Sequence, residues 1–118
     1  MMAYAKISFM TKINILERDI LKVIKDWLDL KGYFYWRNHT GPVFINNGQM
    51  RKNPLKGIPD LQGIFPNGHS FFIECKRPKG KLSEEQKKWE ENLKRNNVVY
   101  VEAFSVEDVT EKFKCYGF

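Results

Sequence analysis

The chain has 118 residues, and three of them carry its strongest chemical signal: Asp60, Glu74 and Lys76. The run Ser70 to Lys76 reads as a β-strand, ended by Pro78 and Gly80. Alternate residues of a strand share a face. Phe72, Glu74 and Lys76 therefore point one way, and Phe71, Ile73 and Cys75 point the other, toward a core. A carboxylate and an ammonium stand side by side at the strand's end. Asp60 opens a neighbouring strand candidate, Asp60 to Phe65, joined to the first through Pro66-Asn67-Gly68-His69, a hairpin signal. Two carboxylates brought together in this way suit metal-assisted hydrolysis of a phosphodiester. Their hard oxygens hold Mg²⁺ and leave positions for water and for a substrate phosphate. A lysine beside them positions the water or offsets charge developing on the phosphate. The backbone carbonyl of Cys75, between Glu74 and Lys76, is a third candidate ligand. The competing reading is an ordinary cross-strand ion pair, since Glu-x-Lys is common on strands. The segment Gly57-Ile58-Pro59-Asp60 at hairpin distance favours the chemical reading.

That chemistry imposes a register. For Asp60 to face Glu74, the numbers of paired residues must sum to an even value, about 134. A two-residue Asn67-Gly68 turn gives 135 and turns Asp60 to the wrong face. The expected solution is a three- or five-residue loop, a bulge, or an Asp60 just outside the regular strand.

Several elements must carry these residues. Asn14 to Leu30 reads as a helix, with Asn14 as N-cap and Glu17 at capping-box spacing. Ile13, Leu16, Ile20, Val23, Ile24 and Trp27 fall on its apolar face, and Gly32 stops it. Tyr33 to Trp36 is an aromatic strand candidate. Residues 37–58 hold turn chemistry with room for a small hairpin. Beyond Lys76, Ser83 and Gln86 form a second capping box that opens a helix with Trp89 and Leu93 on its stripe. Val98 to Phe104 reads as a strand, and Ser105 caps a last helix through about Phe113. The expected fold is α/β in the order αβββαβα: a mixed sheet flanked by helices, with a right-handed crossover from Ser70 to Phe104. At this length one domain is expected over residues 13–118, after an N-terminal tail or edge segment over 1–12.

Lys56-Gly57-Ile58-Pro59-Asp60-Leu61, then Phe72-Ile73-Glu74-Cys75-Lys76-Arg77-Pro78, then Gly80-Lys81-Leu82-Ser83-Glu84-Glu85-Gln86 with Trp89, together resemble the VRR-NUC family of the PD-(D/E)xK nuclease superfamily. Trp36-Arg37-Asn38 with Gly41, and Glu17 in the first helix, extend the resemblance over about residues 13–110. It implies a restriction-endonuclease-like core, similar to archaeal Holliday-junction resolvases, and structure-selective cleavage of DNA with Mg²⁺ or Mn²⁺. By motif position it implies Asp60, Glu74 and Lys76 as catalytic. Cys75 departs from the aliphatic residue more usual there, a change that a backbone ligand tolerates. Glu17 and Gln86 each have two readings, as capping-box residues and as members of the site, and the resemblance favours the site for both.

Charge agrees with a polyanionic partner. The net charge is +6, and residues 1–59 carry all of it, with ten Lys and Arg against four Asp and Glu. Arg77, Lys79 and Lys81 beside Lys76, and Arg37, Arg51, Lys52 and Lys56 in the long polar segment, are the expected DNA contacts. They act on the phosphate backbone and carry no sequence readout. A DNA-binding module that keeps the fold without catalysis, and an RNA-directed nuclease, are the alternatives.

Other classes fall away. His39 and His69 stand apart, and Cys75 and Cys115 lack metal or CxxC spacing. No apolar run approaches a membrane span. The glycines near 57 and 80 are too few for a phosphate loop, so no nucleotide cofactor is expected. Trp27, Trp36 and Trp89 fit amphipathic patterns and are expected in the core. Without a secretory signal, a cytoplasmic location in a bacterial cell or phage-infected host is expected. A domain this small grips one duplex arm, so a homodimer is expected, with Tyr33–Trp36, Val43–Ile45 and Phe113–Phe118 as candidate surfaces.

Overall fold

A computed structural model describes residues 15–118. The N-terminal segment 1–12, Ile13 and the proposed cap Asn14 lie outside the described residues. The elements are α1 (Glu17–Lys31), β1 (Phe34–Arg37), β2 (Val43–Phe44), β3 (Met50–Arg51), β4 (Leu61–Ile64), β5 (Ser70–Cys75), α2 (Glu84–Arg95), β6 (Val99–Ala103) and α3 (Val106–Cys115). Four strands form one sheet in the order β1-β4-β5-β6, and β2 and β3 form a separate hairpin. β1, β4 and β5 run antiparallel, while β5 and β6, joined through α2, run parallel. With the small hairpin set aside, the order is the expected αβββαβα, a mixed sheet flanked by helices.

Strand alternation sorts the side chains. On one face α1 and α3 pack Ile20, Ile24, Leu28, Val109 and Phe113 against Leu61, Phe71, Ile73, Cys75 and Val101. An aromatic cluster anchors this face. The Phe113 ring lies 5.0 Å from Phe71 and 4.8 Å from Phe65, and Phe118 stacks on Phe65 at 4.1 Å. On the other face α2 alone builds a smaller cluster of Ile58, Phe72, Leu93 and Tyr100 with Trp89.

Three expectations change. Leu16 is the N-cap of α1, and Asp19, not Glu17, reaches back to its N–H (3.1 Å). Glu17 is thus the first helical residue, with its side chain free of the cap. The turn count also shifts the apolar stripe: Leu21 and Leu28 are buried and Val23 is 52% exposed. Trp36 is not in the core. It sits on the edge strand β1, paired with Gln62, on the half of the sheet that α2 does not cover. Trp27 and Trp89 do pack against the two clusters.

The register follows the parity that the chemistry required. Leu61 pairs with Ile73, Gln62 with Phe72 and Ile64 with Ser70, each pair summing to 134. Phe65 and His69 close a three-residue loop (N to O, 2.8 Å), with Gly68 at φ +89°, a left-handed conformation that glycine adopts without strain. Asp60 lies one residue before β4 and in line with Glu74.

Candidate active site

Four segments meet at the end of the sheet where β5 stops. Asp60 is set by the chain around it. Ile58 and Pro59 are buried, and Gly57 presses on the first turn of α2, where a Cβ would lie 2.6 Å from the Glu85 carbonyl carbon. The Asn38 N–H donates to the Asp60 carbonyl (2.8 Å), and the Asn38 side-chain amide donates to the Pro59 carbonyl (3.0 Å). On the Asp60 side chain, Oδ2 accepts from the Cys75 N–H at 2.9 Å. That bond carries the carboxylate across to Glu74, the next residue down β5.

Glu74 is only 2% exposed, an unusual place for a carboxylate. Its Oε1 accepts from Gln86 Nε2 at 3.1 Å. Gln86 also closes the cap of α2: its Oε1 accepts from the Ser83 N–H (2.8 Å), and its N–H donates to Ser83 Oγ (3.2 Å). The two readings of Gln86 are therefore one arrangement, in which the cap fixes the amide that holds Glu74. Burial pushes the Glu74 carboxyl up to about 9, and the Asp60 carboxylate adds to the shift while Lys76 opposes it.

Lys76 is 6% exposed, and its N–H extends the parallel ladder to Ala103 (2.8 Å). Its ammonium lies 3.8 Å from the Glu17 carboxylate, so the first turn of α1 reaches the site. The structure thus brings together Asp60, Glu74, Lys76, Gln86 and Glu17. Glu102, paired in register with Glu74, and the buried hydroxyl of Tyr100, without a hydrogen-bond partner among the described residues, border them.

The pair Asp60–Glu74 is a suitable cradle for a hard cation. Two carboxylates forced together in low dielectric hold a proton that neither would keep alone in water. A divalent cation in place of that proton would relieve the repulsion. Among the described residues no three His, Cys, Asp or Glu side chains converge as metal ligands.

Arg37 ends β1 next to Asn38, and Arg77, Lys79 and Lys81 follow Lys76. Arg37, Arg51, Lys52, Arg77, Lys79 and Lys81 are exposed and have no ion-pair partner among the described residues, whereas Lys56 lies 3.7 Å from Glu85. Pro78 and Lys79 form a tight turn closed by the Gly80 N–H to the Arg77 carbonyl (2.9 Å). Lys79 occupies its left-handed position at φ +66°, which usually takes glycine. Two polar residues escaped the sequence reading of the site. Asn38 was part of a motif without a role. Asn53, 7% exposed, ties the polar segment together by donating to the carbonyls of His39 (2.9 Å) and Gly41 (3.1 Å). Asn53-Pro54 is a turn signal that marks such a residue.

No described helix is long and apolar enough to cross a membrane. Neither the curated proteins nor the solved structures give a significant match to the chain. The family model of the VRR-NUC domain matches residues 16–107, from the start of α1 to the start of α3, and encloses every residue of the site. With the match covering most of the sequence and the carboxylates in register at its centre, the chain belongs to the VRR-NUC domain family, a family of nucleases acting on DNA.

Proposed function

We propose that this protein is a metal-dependent endonuclease that hydrolyses phosphodiester bonds in branched DNA, such as four-way junctions or flaps. The observation that carries the reading is the meeting of Asp60 and Glu74 on one face, with Lys76 beside them. Mg²⁺, or Mn²⁺ in its place, held by Asp60, Glu74 and the Cys75 carbonyl, would supply Lewis acidity and an acidified water. The chain's own residues do the rest. The Cys75 N–H and the Gln86 amide each fix one carboxylate oxygen, so neither side chain has to reorganise when substrate arrives. Glu17 holds the Lys76 ammonium at the site, where it offsets charge on the phosphate or orients the attacking water. Arg37, Arg51, Lys52, Lys56, Arg77, Lys79 and Lys81 grip the backbone on either side.

Symmetric cutting of a four-way junction calls for two active sites, hence a homodimer. The open half of the sheet, with Phe34 67% exposed and Trp36 beside it (5.5 Å), suits the contact better than the C-terminus, where Phe113 is fully buried. Free cysteines fit work in a reducing cytoplasm, in a bacterial cell or a phage-infected host. The test is cleavage of labelled duplex, flap, splayed-arm and four-way substrates in Mg²⁺, Mn²⁺ and EDTA. Cutting of branched substrates with metal and none in EDTA is expected. DNA binding without cutting under any metal would leave a binding module of the same fold.

A further inference from the structure

Between β1 and β4 the chain leaves the sheet at its active end and returns to it. Asn38 and Asp60, hydrogen bonded to each other, are the two roots of this excursion. The returning leg is bolted to α2: Trp89 Nε1 donates to the Lys56 carbonyl (3.1 Å), and Lys56 pairs with Glu85 (3.7 Å). Asn53 ties the returning leg to the outgoing one through His39 and Gly41. The hairpin β2–β3 stands on this base, its turn closed by the Ile45 N–H to the Gln49 carbonyl (2.8 Å).

The composition of this arm is unusual for a protruding hairpin. Phe44 and Met50 are cross-strand partners, and they are 72% and 61% exposed. Ile45 beside them is 40% exposed. Residues 38–59 contain Arg51, Lys52 and Lys56 and no acidic residue. An exposed apolar pair just below the polar turn Asn46–Gly48, on a segment whose only charged side chains besides histidine are Arg and Lys, is complementary to a polyanion that offers an apolar face. It is poorly suited to a second copy of this chain, whose own net charge is +6. DNA offers such a face where stacking is interrupted, as at the last base pair beside a branch. The six residue steps from Asn38 to Phe44 span at most about 21 Å, so Phe44 stays within about one duplex width of the root at Asn38.

We propose that the β2–β3 hairpin is a wedge. Phe44 and Met50 insert at a DNA branch point and take the place of the outermost base, which leaves its stack, while Arg51 and Lys52 hold the flanking phosphates. This deepens the nuclease reading and rests on it for the substrate: the wedge selects branched over continuous duplex and sets the distance from branch to cut.

The test uses the full chain in EDTA and a four-way junction carrying 2-aminopurine at the branch, with saturation checked by anisotropy. Binding of the unaltered chain should raise the probe's fluorescence at least about threefold, as its base unstacks. Phe44→Ala combined with Met50→Ala should abolish the rise. In Mg²⁺ that variant should cut the branched substrate about tenfold more slowly, the loss expected from one base stack. Phe44→Trp, which keeps a stacking ring, should preserve both signals, separating the wedge from a folding defect. An unchanged rise in the double alanine variant overturns the wedge, as does a saturated junction that stays dark with the unaltered chain. A double variant that turns a dimer into a monomer in light scattering also overturns it, making the tip a contact between copies. The fluorescence needs no cleavage. A chain that lights the probe but cuts nothing keeps the wedge and removes the nuclease reading.

Discussion

The two faces of the sheet follow different rules. The face under α1 and α3 is closed: Ile24, Leu28, Leu61, Phe71, Ile73 and Phe113 have no solvent exposure, and among the described residues no charged side chain is buried there. The face under α2 is half-covered, with four buried apolar residues, a buried carboxylate, a buried lysine and a row of aromatics that ends in solvent at Trp36. One strand, β5, serves both. Phe71, Ile73 and Cys75 face the closed side, and Phe72, Glu74 and Lys76 the other. The contrast teaches how a small domain separates its tasks. Apolar burial on one side stabilises the fold, and the other side can hold charges at a cost that the first side covers.

The sharpest way to break this division is to remove charge from the half-covered face. Asp60→Ala and Glu74→Gln should each reduce cleavage below detection and weaken metal binding in calorimetry, with cooperative melting retained. Lys76→Ala should lose about 10²- to 10³-fold in cleavage rate yet still bind metal. A Lys76→Ala protein that cuts at the native rate would remove the role assigned to that ammonium.

On the closed face the expected effect is on stability instead. Phe71→Ala should cost about 3–5 kcal/mol in denaturant unfolding, from lost burial and the cavity left among Phe65, Tyr33 and Phe113. That is a large share of a total of about 5–15 kcal/mol. A loss below 1 kcal/mol would mean that the aromatic cluster is not the anchor of the fold.

A pH series sharpens the comparison further. In EDTA the folded chain holds the Glu74 proton up to about 9, against an ordinary value of 4.5 in the unfolded chain. The stability from this proton is fully present below about pH 4.5 and is lost as pH rises toward 9, by at most about 1.4 kcal/mol per pH unit. Thermal melts of the metal-free chain should therefore fall across that window. Glu74→Gln should flatten the slope, while Phe71→Ala should leave it parallel to that of the unaltered chain.

The smallest effect belongs to the residue that joins cap and site. Gln86→Ala should cost about 1 kcal/mol through the lost cap of α2. It should also slow cleavage about tenfold by releasing Glu74. A change in stability alone, with native cleavage, would return Gln86 to a purely capping role.

Much of this centre was legible in the residues because it rests on local rules. The period of two in Ser70–Cys75 divides core from site within one strand, and the need for Asp60 to meet Glu74 requires an even register, realised as 134. Ser83 and Gln86 sit one helical turn apart, so their cap depends on nothing distant. The remainder depended on what packs against what. Asp19 rather than Glu17 caps α1, which frees Glu17 to approach a lysine 59 positions away in the chain, a meeting that no local pattern encodes. Trp36 has the same aromatic, strand-like surroundings as a core residue. It is exposed because β1 is the edge strand, two strands away from β5, and α2 packs over β5 and β6, a matter of layer geometry. Asn53 and Gly57 look like ordinary turn residues until the segment is folded, when Asn53 bonds the carbonyls of His39 and Gly41 and Gly57 lies close against the backbone of α2. Periodicity and capping are set over a few residues and can be read from them. Contacts between distant segments depend on the whole chain's packing, and only the tertiary structure decides them.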